Sequence, residues 1–225
     1  MIRKKDYWPV FRSAAHQEDA SGSSSLFVTK PTGVASGDVL VAFLYSRNTT
    51  AVSSINGFST VYSGIPTLDG TSHRVWCGIK VAGGGEPASY EWQFGSGSDN
   101  KGGVILAYTN GHATQNEAVG NALLTASSTQ HQMPTMTPTY TDSMQISCWF
   151  LDAIGGGAIG TVATPPPGAT LRYASPNGGF GGRSDDFFTV YEQQLGPASV
   201  ASGTRNLFSG NACGSYGITT AIRRS

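Results

Sequence analysis

Apolar residues in this chain come in short runs, each closed by Gly, Pro, Asn, Asp, Ser or Thr. The longest is Gly37-Asp38-Val39-Leu40-Val41-Ala42-Phe43-Leu44-Tyr45-Ser46, which Ser46-Arg47-Asn48-Thr49-Thr50 ends. A run of that length, rich in Val, Leu and aromatics, predicts a strand buried on both faces. It is too short to cross a membrane. In His73–Val81 the pattern alternates: Val75, Cys77, Ile79 and Val81 point one way and Arg74, Trp76 and Lys80 the other. That period of two is the signature of a half-buried antiparallel strand. Ser89–Phe94 alternates as well, with Tyr90, Trp92 and Phe94 on one face, and these three are read as core. Ser25–Thr29, Phe58–Tyr62 and Gly103–Tyr108 complete a series of short strands. No segment keeps a helical period, so the fold class is all-β.

The second half of the chain can be laid on the first. Ser143–Leu151 answers Val39–Arg47, and Pro167–Tyr173 answers Asn56–Tyr62. Phe187–Tyr191 answers the strand through Val75 and Ile79, Asn206–Gly210 answers Trp92–Ser96, and Gly217–Ile222 answers Gly103–Tyr108. The inserted residues fall in loops, as in an internal duplication with halves at 37–110 and 141–223. The identities are few, so chance agreement among strand sequences stands beside that reading. Gly111–Thr139 is polar and is read as a crossover with one short strand near Thr125–Thr129. Each half alone has a small core, and no linker separates them. The economical architecture is one antiparallel β-sandwich over 26–225, jelly-roll-like, with about ten strands sharing a core.

Residues 1–25 are polar and Ser-rich, and are read as an extended arm outside the sandwich. Its Tyr7-Trp8-Pro9-Val10-Phe11 cluster needs cover, either from the chain's own sandwich or from a neighbour. Tyr7, Trp8 and Phe11 are therefore the candidate partner-contact residues.

Composition narrows the function classes. Net charge is zero over 225 residues, so neither nucleic acid nor an anionic membrane is an implied partner. Charged residues are 12% of the chain, about half the usual share, which favours self-association. Three scattered cysteines, Cys77, Cys148 and Cys213, argue against a disulfide framework and are read as small buried hydrophobes. Basic residues near Met1 lack an apolar stretch behind them, so no secretory signal is expected and the protein is made in a cytoplasm.

Reactive constellations are sparse. Asp185-Asp186 lacks the spaced acids of a calcium loop. Glu86, Glu91, Glu117, Asp152 and Glu192 offer carboxylates for a glycosidase, but the sequence picks no facing pair. His16, His73, His112 and His131 lack metal-ligand spacings and are read as surface or turn histidines. Neither Gly95-Ser96-Gly97-Ser98 nor Gly155–Gly160 leads into the helix that a nucleophile elbow or phosphate loop requires. No catalytic, cofactor-binding or metal-binding residue is assigned. Trp76, beside Arg74 on the polar face of its strand, is open to three readings: a subunit contact, a glycan platform, or packing within the sheet.

Pro31-x-Gly33-Val34-x-x-Gly37-Asp38-Val39-Leu40-Val41-Ala42, Ile79-Lys80-Val81-Ala82 and Glu86-Pro87-Ala88-Ser89-Tyr90-x-Trp92-x-Phe94 resemble a β-sandwich module of tailed-phage structural proteins. These motifs build scaffold and carry over no active site. The resemblance implies a non-enzymatic virion protein, of decoration (cement), head-fibre or tail accessory type. It would bind its own copies and a major capsid or other virion protein, without a cofactor. A carbohydrate- or receptor-binding module of a tail or bacterial surface protein is the alternative, and a polysaccharide hydrolase ranks last.

Overall fold

The computed structural model describes residues 8–54, 56–68, 70–95, 100–112, 117–132, 136, 138–140, 143–153, 168–175, 186–194 and 206–225. These form strands and no helix: β1 (Val10–Asp19), β2 (Ser25–Thr29), β3 (Val39–Ser46), β4 (Val52–Ser54), β5 (Ser59–Gly64), β6 (Thr67–Leu68), β7 (Thr71–Ser72), β8 (Arg74–Val81), β9 (Ser89–Phe94), β10 (Lys101–Thr109), β11 (Glu117–Gln132), β12 (Ser143–Ala153), β13 (Thr170–Ala174), β14 (Asp186–Gln194) and β15 (Asn206–Arg223). Their ladders are antiparallel throughout.

Ten of these strands make two five-stranded sheets, ordered β1-β10-β3-β8-β5 and β11-β15-β12-β14-β13. Their facing sides enclose the main core. Val39, Val41, Phe43 and Tyr45 of β3 and Val104, Leu106 and Tyr108 of β10 meet Met144, Ile146, Cys148 and Phe150 of β12 and Ile218 and Ile222 of β15. Apolar side chains on alternate positions of both sheets leave water together there, at about 25 cal/mol per Å² buried. The other face of the first sheet is covered too. Leu40, Ala42, Leu44, Trp76, Ile105 and Ala107 pack against Leu26, Val28, Tyr90, Trp92 and Phe94 from a three-stranded sheet ordered β2-β9-β4. This third layer explains why β3 and β10 are apolar at nearly every position: both of their faces are covered.

The two large sheets repeat one strand order. Segments matched by sequence, β3 with β12, β5 with β13, β8 with β14 and β10 with the end of β15, hold equivalent places. β11, far longer than the short strand expected near Thr125–Thr129, occupies the place that β1 holds in the first sheet. The sequence alignment of the central strands is, however, one residue out of step. The inward stripe Val39, Val41, Phe43, Tyr45 corresponds to Met144, Ile146, Cys148, Phe150, because a slip of one position exchanges the faces of a strand.

The expectation for residues 1–25 requires correction. Val10–Asp19 is the edge strand β1, paired along its length with β10 from Val10↔Thr109 to Asp19↔Lys101. A bulge between Phe11 and Ser13 breaks the period of two, so the residues packed against the main core are Phe11 and Ala14. That spacing hides the strand from a search for strict alternation. Phe11 stands edge-on to Tyr108 at 5.8 Å, and the Arg172 guanidinium lies 4.3 Å from its ring centre. Trp8 is half-buried, and its carbonyl accepts a hydrogen bond from Asn110 Nδ2 at 3.4 Å. Phe11 thus packs on its own chain, and Trp8 is half-buried against it. Tyr7 lies outside the described residues.

Candidate functional site

The inward stripes of the two central strands continue past their last aromatics into opposite charges. After Tyr45 comes Arg47, and after Phe150 comes Asp152, each one further step along the same face. Asp152 is 1% exposed. Its Oδ2 lies 2.8 Å from His73 Nε2 and 3.7 Å from Arg47 Nη2. His73, between β7 and β8, is fully buried, and its Nδ1 lies 2.7 Å from the Tyr45 hydroxyl. The Tyr45 hydroxyl and Nδ1 share one hydrogen bond, while Nε2 meets the Asp152 carboxylate as a close polar contact without hydrogen-bond geometry. Tyr45 stacks on His73 at 5.1 Å and on Phe150 at 5.6 Å. A Tyr–His–Asp row is the material of a proton relay. Here each of the three is at most 3% exposed, so the row serves as a polar pin between the sheets.

A second buried pair lies in the second half. Cys213 Sγ is 3.4 Å from His131 Nε2, both at 0% exposure. Burial lowers the His131 pKa from 6.5 to about 4, so the imidazole is neutral at physiological pH and provides no cation to hold a thiolate. The unfolded chain binds this proton before the folded one does. Stability from His131 is therefore complete above its ordinary pKa and is lost as pH falls toward 4. Urea titrations near pH 7 and about pH 4.5 should differ by about 1–2 kcal/mol more for the native chain than for His131→Leu. Equal differences would remove His131 from the acid response.

The remaining candidates fall into place as follows. Trp76 is 1% exposed, because the three-stranded sheet covers the face that alternation alone assigned to solvent. Its indole N–H donates to Thr60 Oγ1 at 3.1 Å, and it meets Trp92 edge-on at 6.2 Å. The subunit-contact and glycan-platform readings of Trp76 are thereby overturned in favour of packing within the protein. Arg74 ties down the loop after β3, donating from Nε to the Thr50 carbonyl at 2.9 Å and from Nη2 to that of Thr49. Tyr90, Trp92 and Phe94 are core as expected, and Cys77, Cys148 and Cys213 are buried thiols outside any disulfide. His73 and His131 are interior, contrary to the surface reading, whereas His16 is exposed and lies 4.8 Å from the Tyr173 ring.

Of the carboxylates, Glu86 pairs with Lys80 at 2.8 Å and Glu192 with Arg172. Asp185, the Gly155–Gly160 loop and Ser96 to Ser98 lie outside the described residues. Among the described residues no three of His, Cys, Asp and Glu converge on a metal-sized site.

On the outside, the end of β1, the β1–β2 turn and the start of β2 enclose an open cleft of about 450 Å³, reaching from Gln17 to Phe27. Asp19 fixes its wall. The carboxylate accepts from the Ser21 N–H and the Ser23 hydroxyl, both at 2.7 Å, and pairs with the buried Lys101 at 3.0 Å. Burial raises the Asp19 pKa, but the hydrogen bonds from Ser21 and Ser23 and the Lys101 ammonium outweigh it and hold the group well below the usual carboxylate range. Phe27, 53% exposed, stands beside this cleft. The sequence carried its signal: it has the opposite parity to Leu26 and Val28 in a strand with one covered face.

No family model matches this chain, and no curated protein or solved structure resembles it.

Proposed function

We propose that the protein works through contact area, as a non-enzymatic structural component of a virion, of the capsid-decoration type. In this reading it is a jelly-roll-like, internally duplicated sandwich that binds its own copies and a shell protein. The observation that carries this is the location of the paired reactive groups. His73 with Asp152 and His131 with Cys213 are sealed between or behind sheets, where a substrate has no access. The outside instead presents exposed apolar side chains, among them Val10 on β1 and Leu171 on β13. These strands are edges of the two large sheets and lie against each other, as the Phe11–Arg172 and His16–Tyr173 contacts show. This seam replaces the free arm as the proposed contact region. The resemblance of the Gly37–Ala42 and Glu86–Phe94 segments to phage structural modules points the same way.

Light scattering of the purified chain over a concentration series should show association. The pair Val10→Glu and Leu171→Glu should return it to monomer with its thermal midpoint unchanged, since both side chains are at the surface. A chain monomeric at every concentration, or an assembly that the double variant leaves intact, would remove the seam from this reading. Genes for a shell subunit and a portal are expected beside this one.

A second reading, a carbohydrate-binding module, is favoured by one observation: the exposed Phe27 next to a polar cleft.

A further inference from the structure

β2 and β9 turn one set of alternate side chains into the protein and the other set outward. Leu26 and Val28, with Tyr90, Trp92 and Phe94, form the inner set. The outer set begins with two cross-strand pairs, Phe27 opposite Glu91 and Ser25 opposite Gln93. Their polar groups are already in register with one another. Ser25 Oγ donates to Glu91 Oε1 at 3.1 Å, and Gln93 Nε2 reaches the same oxygen at 3.4 Å. Below this face the sheet rests on a rigid aromatic layer, Trp92 against Phe58 and Trp76. At its edge opens the cleft whose wall Asp19 holds.

We propose that this outer face, with Phe27 at its centre and the cleft at its margin, binds a neutral saccharide; the inference rests on the carbohydrate-binding reading above. The chemistry of the face selects that class. A pyranose has an apolar face of C–H groups and a rim of hydroxyls. An exposed phenyl ring takes the C–H face, and the groups around it here supply what a hydroxyl rim needs. The remaining lone pairs of Glu91 accept hydroxyl protons, the Gln93 amide donates and accepts, and the Ser25 oxygen accepts while its O–H donates to Glu91. A cleft of this volume is of ligand size. The Glu91 carboxylate on this face selects neutral sugars over sialylated and sulfated ones. The ring and its polar neighbours sit on paired strands over a packed core, so the site costs little ordering when filled.

The test uses the full chain and saturation-transfer NMR with maltose, cellobiose, lactose and N,N′-diacetylchitobiose, and sialyllactose as the anionic comparison. At least one neutral sugar should receive saturation, and its addition should shift the backbone amides of Phe27, Glu91 and Gln93. Phe27→Ala should weaken that sugar at least about tenfold, the loss of a stacked ring. Phe27→Trp should bind as tightly or better, and Glu91→Gln severalfold less tightly. Near-ultraviolet circular dichroism of each variant should match the native spectrum, since Phe27 is exposed and Glu91→Gln keeps the size of its half-buried side chain. Binding of a neutral sugar that Phe27→Ala leaves unchanged would overturn this site and leave the carbohydrate-binding reading standing. Silence from every neutral sugar, or a response to sialyllactose alone, would overturn both.

Discussion

Trp76→Ala should destabilise the protein by about 3–5 kcal/mol, the range for removing a large buried aromatic. The indole joins two layers: it grows from β8 of the first large sheet and meets Trp92 of the small sheet edge-on at 6.2 Å. The backbone beneath it is shaped for this. A Cβ on Gly78 would fall 2.2 Å from the indole Cη2, so the ring lies directly over the glycine. Deleting the ring opens a cavity between layers whose backbones are held by ladders on either side, which limits collapse into it. It also leaves the Thr60 hydroxyl without its indole partner. Urea unfolding followed by circular dichroism should show a lower midpoint with an unchanged slope. Gly78→Ala tests the same contact from the other side and should cost about 1–3 kcal/mol through overpacking. A Trp76→Ala protein of native stability would mean that the small sheet is not packed on the large one as described.

Asp152→Ala is expected to cost about 3–5 kcal/mol, because it removes one partner of a buried ionic contact and strands the others. His73 Nε2 and the Arg47 guanidinium lie 2.8 and 3.7 Å from Asp152 Oδ2. Arg47 side-chain atoms are 18% exposed, so the guanidinium can turn toward water, but His73 is enclosed and cannot. Asp152→Asn separates shape from charge. The amide keeps the shape of the carboxylate and removes its charge, and the loss should be nearer about 1–2 kcal/mol. Tyr45→Phe removes the hydroxyl at the far end of the row while keeping the stacks on His73 and Phe150, and should cost about 1 kcal/mol. A double-mutant cycle between Tyr45→Phe and Asp152→Asn should show coupling through the imidazole. Strict additivity would mean that the two contacts act independently and that the row is not one unit.

Part of this architecture is written locally. The unbroken apolar run Val39–Tyr45 could only be a strand covered on both sides, and it lies at the centre of three layers. The alternation of Tyr90, Trp92 and Phe94 placed those rings in a core. Even the charges that close the inward stripes, Arg47 and Asp152, follow from parity once the facing strands are known.

What escaped the sequence did so for three physical reasons. A bulge at Phe11–Ser13 concealed β1, because parity arguments fail where one strand carries an extra residue. Trp76 stayed open among subunit contact, glycan platform and packing within the sheet because alternation distinguishes two faces without saying whether a second layer covers the polar one; the small sheet encloses the indole. The register between the halves slipped by one, since strand vocabulary matches nearly as well out of step as in step.

The amino-acid order by itself determined the all-β class, the positions of the central strands and the inward face of Tyr90, Trp92 and Phe94. These depend on short-range periodicity, and each residue carries that information in its own neighbourhood. Only the tertiary structure decided that a third sheet buries Trp76, that His73 and Asp152 meet, and that Phe27 with Glu91 and Gln93 forms the open face. Those outcomes depend on which surfaces of distant segments come together, and a property of pairs cannot be read from either member alone.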